Sequence, residues 1–329
     1  VAADRTILSM LRGHPMRPVR PYKFKHSLIP MFQKLSIMFL ILPGLTTTSA
    51  RAAQVKPETV AAFEHYVTVT EARMEDDVRL NQFLVIDRLP DLQRKEAYDQ
   101  QQQGQVYIEE SHTREDHHPI HIPSGLIHHW TGVIFIPNAT LAKANAVLNN
   151  YKDESEIYKP DIRRAKLIEQ SSGVSKICLQ FYNKSIVTVV LNAYFDVSEK
   201  QIGSTRIQSA SRSTRVAEVE NWGSPDERER TDGDDHGYMW RLNSYWRIEE
   251  KDGGVYVENE SITLTRTVPP LLAWLINPLT KSIPRDVLLH TLTKTRDAVV
   301  KAETPVKHEG LSEENPVPKE PLQKNATRR

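Results

Sequence analysis

Six of the chain's twelve histidines fall between His112 and His129, in the stretch HTREDHHPIHIPSGLIHHW. Imidazoles at that density can ligate a metal or exchange protons near neutral pH. Three histidines plus a water make a zinc site, and His117, His118 and His121, in a loop, could join one of the pair that follows. The spacing matches no specific zinc motif, however. His128 and His129 are adjacent in the strand-like run IHHWTGVIFI, so they point to opposite faces and cannot hold one ion together. The expectation is therefore no metal and no cofactor, only a loop leading into a strand buried on both faces. Other groups that could move protons are His129, Arg215, Glu218 and Glu260, but strand parity does not gather them on one apolar face. No Gly-rich phosphate loop, nucleophile elbow or paired-carboxylate motif is present in the sequence, so no catalytic residue is assigned. The single cysteine, Cys178, excludes an intramolecular disulfide and reads as a small strand residue in KICLQF.

The elements that must position these groups begin with an export signal. Basic MRPVRPYKFKHSLIPMFQK precedes apolar LSIMFLILPGL and polar TTTSARA, with small residues Ala50 and Ala52 placed for signal peptidase. The start could also lie at Met16 or Met31. The apolar run Leu35 to Leu45 has 11 residues, short of the roughly 20 that span a bilayer as a helix. An uncleaved anchor is the alternative, and no stable membrane span is expected once the signal is removed. The expected location is periplasmic or secreted. Of 43 Lys/Arg and 42 Asp/Glu, the first 52 residues hold eight basic residues against Asp4 alone, leaving 35 basic and 41 acidic in the remainder. An acidic body lacks the basic face that nucleic acid or an anionic membrane requires, so no nucleic-acid partner is expected.

Beyond the signal, Val60, Phe63, Val67, Met74 and Val78 fall near helical spacing, and DLQRKEAYDQQQQ predicts a second helix ending at Gly104, followed by a short strand QVYIEE. After IHHWTGVIFI, Asn138 is the predicted N-cap of a helix with Leu141, Ala144, Leu148 and Tyr151 on one face. Six strand-like runs follow: DIRRAKLIEQ, VSKICLQFY, IVTVVLNAYF, TRIQSASRSTRVAEVE, YMWRLNSYWRIEE and VYVENESITLTR. Turn signals separate them, KDGG the strongest, and one polar link, NWGSPDERERTDGDDHG, is no core element. A C-terminal helix opened by Ser282-Ile283-Pro284 carries Leu288, Leu289, Leu292 and Val299 on one side, and the tail from Glu303 is charged, Pro-rich and expected to be disordered. A seven-stranded antiparallel sheet must bury one face, and this helix has the matching stripe.

That order, with HWTGVIFIPNATL, YWRIEEKDGGVYVE and SIPRDVLLHTLTKTR, resembles the START-like (SRPBCC) superfamily of lipid-transfer domains, plant pathogenesis-related allergens and polyketide cyclases, most closely its exported bacterial members. The resemblance covers about residues 125 to 303. It implies an α+β helix-grip fold, a seven-stranded antiparallel sheet wrapped on a long C-terminal helix. The expected organisation is a signal at 1–52, a helical N-terminal segment with the His-rich loop at 53–124, the START-like domain at 125–303 and a tail at 304–329. The apolar phase Val187, Val189, Leu191, Ala193, Phe195 is expected to face the helix, as are Ile177, Leu179, Phe181 and the row Trp240, Leu242, Ser244, Trp246, Ile248. In a helix-grip fold such surfaces line a pocket, so Leu179, Phe181, Leu191, Ala193, Phe195, Trp240, Leu242, Ser244, Trp246, Leu288 and Leu292 are the candidate ligand-binding residues. The same residues could instead fill a solid core, with two tryptophans available to plug it. Arg241, Asn243, Tyr245 and Arg247 fall on the opposite face, which by default is wet. The alternative is that the helices of 57–103 cover it, with Arg241 and Arg247 paired to carboxylates such as Glu258 and Glu260. The function expected is binding of a hydrophobic or amphipathic, lipid-like molecule. A cyclase- or hydrolase-type enzyme using the same cavity, or an envelope protein contacting a partner through its N-terminal helices, are the alternatives.

Overall fold

The computed structural model describes residues 55–171, 173–184, 188–231, 233–267 and 270–302, with side chains from 283 onward in the last segment. The export signal, Val187 and the C-terminal tail lie outside the described residues. The turn Lys251-Asp252-Gly253-Gly254 shows how local chemistry sets the sheet. Asp252 and Gly253 both take positive φ, 57° and 73°, the backbone of the two-residue turn whose twist matches its flanking strands. It fixes the register of β10 (Arg241–Lys251) against β11 (Gly254–Arg266), pairing Lys251 with Gly254 and Arg247 with Glu258.

The chain enters through α1 (Pro57–Arg79), a short 3-10 turn at Val85–Arg88 and α2 (Asp91–Gln102), then β1 (Tyr107–Glu110). A small hairpin of β2 (Arg114–Glu115) and β3 (His118–Pro119) holds the His-rich loop. Next come β4 (Gly125–Pro137), α3 (Leu141–Leu148) and α4 (Glu154–Ile157). The meander is β5 (Ile162–Ser171), β6 (Val174–Lys184), β7 (Thr188–Ile202), β8 (Arg206–Glu220), a two-residue β9 (Arg228–Glu229), then β10 and β11, and α5 (Pro270–Lys301) closes the fold. Strand order is β1-β4-β11-β10-β8-β7-β6-β5, with β9 on β8. The seven strands anticipated for the sheet form, the short strand anticipated at QVYIEE joins them as β1, and β9 brings the sheet to nine among the described residues. The fold is the α+β helix-grip arrangement.

Four expectations need correction. Asn138 does not cap α3: it takes positive φ in a turn, and Thr140 accepts the Lys143 N–H instead. Tyr151 falls beyond the end of that helix. The last helix starts at Pro270, so Ser282-Ile283-Pro284 lies inside it; a proline removes one hydrogen bond without ending a helix that packing sustains. The sheet, finally, is not wet on its outer face. α1 buries Phe63, Tyr66, Val67 and Met74, but also Thr59, Thr70 and Asp77, against that side. Residues 55–124 thus cover the outer face and contribute β1, which pairs with β4.

On the inner face, the C-terminal half of α5 packs down hard. Leu292 lies so close to Gly132 that an added Cβ would come within 2.7 Å of its Cδ1. Leu288, Leu292 and Val299 join Ile134, Ile136, Val255, Val257 and Ile248, with Leu141, Ala144 and Val147 of α3 at the edge. This solid core occupies the β4–β11 side of the sheet and anchors the helix.

Candidate functional site

Toward β5–β8 the same face opens into a cavity of about 460 Å³ beneath α5. The pairing register builds its floor in rows. Ile177 lies opposite Phe195 and Phe181 opposite Leu191 across β6 and β7, which gives an apolar half. On β8, β10 and β11 the rows Ser211-Ser244-Ser261 and Ser209-Trp246-Asn259 run straight across three strands, and Thr263 faces His128 of β4. These residues line the cavity too, so its second half is rich in hydroxyls. Ile283, Pro284 and Val287 of α5, with Tyr238, Met239, Tyr182 and Asn183, also line the cavity.

Eight of the eleven candidate residues line it: Leu179, Phe181, Leu191, Phe195, Leu242, Ser244, Trp246 and Leu288. Three do not. Ala193 has no exposed surface, closed over within the cluster of Ile177, Leu179, Phe195 and Val216. Leu292 belongs to the solid core over Gly132. Trp240 lies on the opposite side, among Phe63, Tyr245, Ile262 and Leu264, with its indole N–H donated to Asp235 at 3.1 Å. It precedes Arg241, the first paired residue of β10, so the alternation of that strand does not govern it. The hydroxyl half went unread because Ser and Thr on one strand look like a solvent face; only cross-strand register brings them together. A bulge adds to this. Register shifts at Tyr194/Phe195, leaving Thr214 of β8 unpaired, so Ser209 and Ser211 face the cavity while Val216 takes the inward phase beyond it.

The titratable groups of the cavity wall are few. Burial pushes the His128 imidazole down, favouring its neutral form, and its Nε2 lies 3.2 Å from Thr265 Oγ1. Asp161 is engaged by His290 Nδ1 at 2.7 Å, and the Tyr158 hydroxyl meets Thr295 at 3.1 Å. Glu154 is different: its Oε2 is buried without a hydrogen-bond partner among the described residues, and burial raises its carboxyl to about 8. None of the described lining residues is Lys or Arg.

The histidine cluster separates in space. His117 and His118 sit exposed at the β2–β3 hairpin, His128 turns to the cavity, and His129 turns to α1. Among the described residues no group of three or more His, Cys, Asp or Glu is placed to hold a metal ion. His129 instead joins a buried network. Its Nε2 lies 2.6 Å from Glu260 and its Nδ1 2.8 Å from the Tyr66 hydroxyl. With Glu260 ionised, Nε2 donates to it, and the Tyr66 oxygen beside Nδ1 also receives the Thr113 N–H. Burial alone would raise Glu260, but the hydrogen bond from His129 and the Arg73 guanidinium outweigh it and hold the carboxyl far below the usual range. Arg247, 1% exposed, lies 3.5 Å from both Asp77 and Glu258 and donates to the Phe83 carbonyl at 2.8 Å. Burial pushes Glu258 up to about 7 despite Arg247. Arg215 meets Glu229 and Glu218 meets His236, both away from the cavity. The outer face also carries a wider, more polar cleft of about 1030 Å³, with Tyr66, His112, Arg114, His121, His129 and Arg266 on its walls.

Among the described residues, an antiparallel sheet thus packs against one long helix with a cavity between them. No family model and no curated relative matches the chain. Solved structures similar to it include a STAR-related lipid transfer protein from Xanthomonas axonopodis, at 14% identity over 58% of this chain and 99% of that one, TM-score 0.38. The Zhui aromatase/cyclase from Streptomyces sp. R1128 matches at 11% identity over 53% and 94%, TM-score 0.38. Human STARD10 matches at 10% over 65% and 81%, TM-score 0.37.

Proposed function

We propose that the protein binds a hydrophobic or amphipathic small molecule, lipid-like in character, in the cavity between the sheet and α5, and that it does so outside the cytoplasm after removal of the export signal. The observation that carries the first part is the cavity itself: about 460 Å³, within the range that holds small ligands, walled by Leu, Ile and Phe on one half and hydroxyls on the other. Removing apolar ligand surface from water there is worth about 25 cal/mol per Å². Among the described residues no helix is long and apolar enough to cross a membrane. Export rests on the basic, apolar and Ala-Arg-Ala succession at the N-terminus.

Native mass spectrometry of protein purified from its producing cells tests the binding. A retained organic molecule of discrete mass supports it, and an empty chain that also fails to take up an apolar fluorescent probe overturns it. N-terminal sequencing of the protein recovered outside the cytoplasm should begin at Ala53. A chain that stays inside with residues 31–52 attached removes the export reading.

A further inference from the structure

Among the described residues of the cavity wall, Glu154 alone has a buried side-chain atom without a hydrogen-bond partner, and none is Lys or Arg. Asp161 is taken by His290 and the Tyr158 hydroxyl meets Thr295. Ser244 receives the Asn259 amide at 2.8 Å. Glu154 stands apart. It opens α4, which packs on β5, so it lies across the apolar floor from the hydroxyl rows of β8, β10 and β11. Its neighbours there are Tyr151 and Tyr158, and no described group hydrogen-bonds its Oε2. A buried polar atom left without a partner is destabilising, and a ligand that supplies the partner recovers that loss on binding.

We propose that the ligand carries an uncharged hydrogen-bonding group, a hydroxyl or carbonyl on an apolar body, that docks against Glu154, and that the cavity rejects anionic head groups such as phosphate and carboxylate. This rests on the cavity being the binding site. An anion entering it would shed its hydration with no guanidinium or ammonium among the described lining residues to replace it. His128 gives no counter-charge either, since burial favours its neutral form. The Glu154 carboxyl, raised to about 8 by burial, is largely protonated at neutral pH. In that form it both donates and accepts, which suits a hydroxyl or a carbonyl. The serine and threonine hydroxyls of the other half are neutral as well, so an elongated molecule could meet polar groups at both ends without bearing charge.

The test is a competition titration of the full exported chain, loaded with an apolar fluorescent probe, against n-alkyl compounds of one chain length that end in alcohol, methyl ketone, carboxylate, phosphate or amine. At neutral pH the alcohol and ketone should displace the probe about tenfold more strongly than the carboxylate and phosphate, which lose hydration uncompensated. Glu154→Leu should weaken the alcohol by roughly three- to tenfold relative to the probe, the worth of one hydrogen bond. Glu154→Gln, which keeps both donor and acceptor in the same shape, should retain alcohol binding and guards against a leucine variant that misfolds. Carboxylate or phosphate binding as tightly as the alcohol overturns the proposal, as does an alcohol preference untouched by Glu154→Leu. An amine that binds best, and is lost in Glu154→Gln, shows an ionised carboxylate and overturns it equally. If neither the probe nor any alkyl compound binds, the cavity reading fails and this one with it.

Discussion

Successive residues of β10 face two different interiors. Leu242, Ser244 and Trp246 turn toward α5 and line an open cavity, whereas Asn243, Tyr245 and Arg247 turn toward α1 and are buried in a closed polar layer. Both sides mix apolar and polar residues, so composition does not explain the difference. The covering element does. α1 brings its own charges, Glu71, Arg73 and Asp77, which meet those of the sheet: Tyr245 donates to Glu71 at 2.7 Å, and Arg73 joins Asp77 and Glu260. Long side chains from both surfaces reach across and fill the gap. The inner face presents short Ser and Thr toward α5, and the space beside them is the cavity. Polar residues on a strand thus specify neither water nor a core until their partner surface is known.

The largest expected effect comes from breaking the closed side. Arg247→Met removes the cation between Asp77 and Glu258 while keeping much of its volume, leaving buried carboxylates poorly compensated. Such one-sided removal costs about 3 to 5 kcal/mol, measurable by urea unfolding. Replacing Ser211 of the cavity wall by alanine should change stability little, because that half-buried side chain borders cavity space. A small Arg247→Met effect would mean that the ion network is not what secures α1.

The two sides should also differ in their response to pH. Glu260 is held below its ordinary value, so its contribution is complete above about 4.5 and is lost as pH falls through the folded value. Glu258 and Glu154 are raised, from 4.5 to about 7 and about 8. Between 4.5 and those values the folded chain holds protons that the unfolded chain has released, so stability declines as pH climbs through that window. The decline due to Glu258 levels off near 7, and the part that continues toward 8 belongs to the cavity side. Glu154→Gln should therefore flatten the stability profile between about pH 7 and 8 without altering the acid limb, as read from urea midpoints across pH. An unchanged slope there would show Glu154 already ionised in the folded protein.

How much of this was legible in the sequence follows the same division. Parity along IVTVVLNAYF and VSKICLQFY placed Leu179, Phe181, Leu191 and Phe195 on the cavity side, because each strand is regular and apolar on one phase. It misplaced Trp240, which lies outside the paired part of its strand, and it could not follow β8 through the bulge at Thr214. The helix of residues 57–79 was recognisable from Phe63, Val67 and Met74, but its buried face is half polar. Nothing local in Thr70 or Asp77 says that they meet Thr113 and Arg247, more than 40 residues away. Glu154 was invisible for a related reason: one acidic residue in YKDESEIYK looks like solvated surface, and only the fold of α4 onto β5 buries it.

A sharper version of the contrast uses tryptophan. Ala193 and Ser244 are the two small residues among the candidate ligand-binding positions, yet Ala193 is fully enclosed while Ser244 borders open space. Ala193→Trp should overpack its cluster and destabilise by about 1 to 3 kcal/mol. Ser244→Trp should cost less, chiefly the hydrogen bond from Asn259, and abolish uptake of the apolar probe by filling the cavity. Thermal melts with probe titration of the two variants separate a solid core from a cavity, since equal destabilisation of both would mean that the space does not persist in solution.

The smallest expected effect comes from the same atom deleted on each side. Thr70 of α1 is fully buried, with its hydroxyl donated to the Tyr66 carbonyl at 2.8 Å and set 2.6 Å from that of Thr113. Thr263 of β11 is half-buried on the cavity wall. Valine is nearly the same shape as threonine, so Thr→Val removes a hydroxyl with little change in volume. At Thr70 the loss removes a fully buried hydroxyl with its bonds to the Tyr66 carbonyl and Thr113, and stability should fall by about 1 kcal/mol. At Thr263 the hydroxyl borders cavity space, so the change should move the unfolding midpoint by less than about 0.5 kcal/mol. What should move is selectivity: the wall becomes more apolar, and the preference for an alcohol-ended over a plain alkyl compound should shrink. If Thr263→Val instead destabilised as much as Thr70→Val, its hydroxyl would be an internal structural partner, and the hydroxyl half of the cavity would belong to the core and not to a ligand.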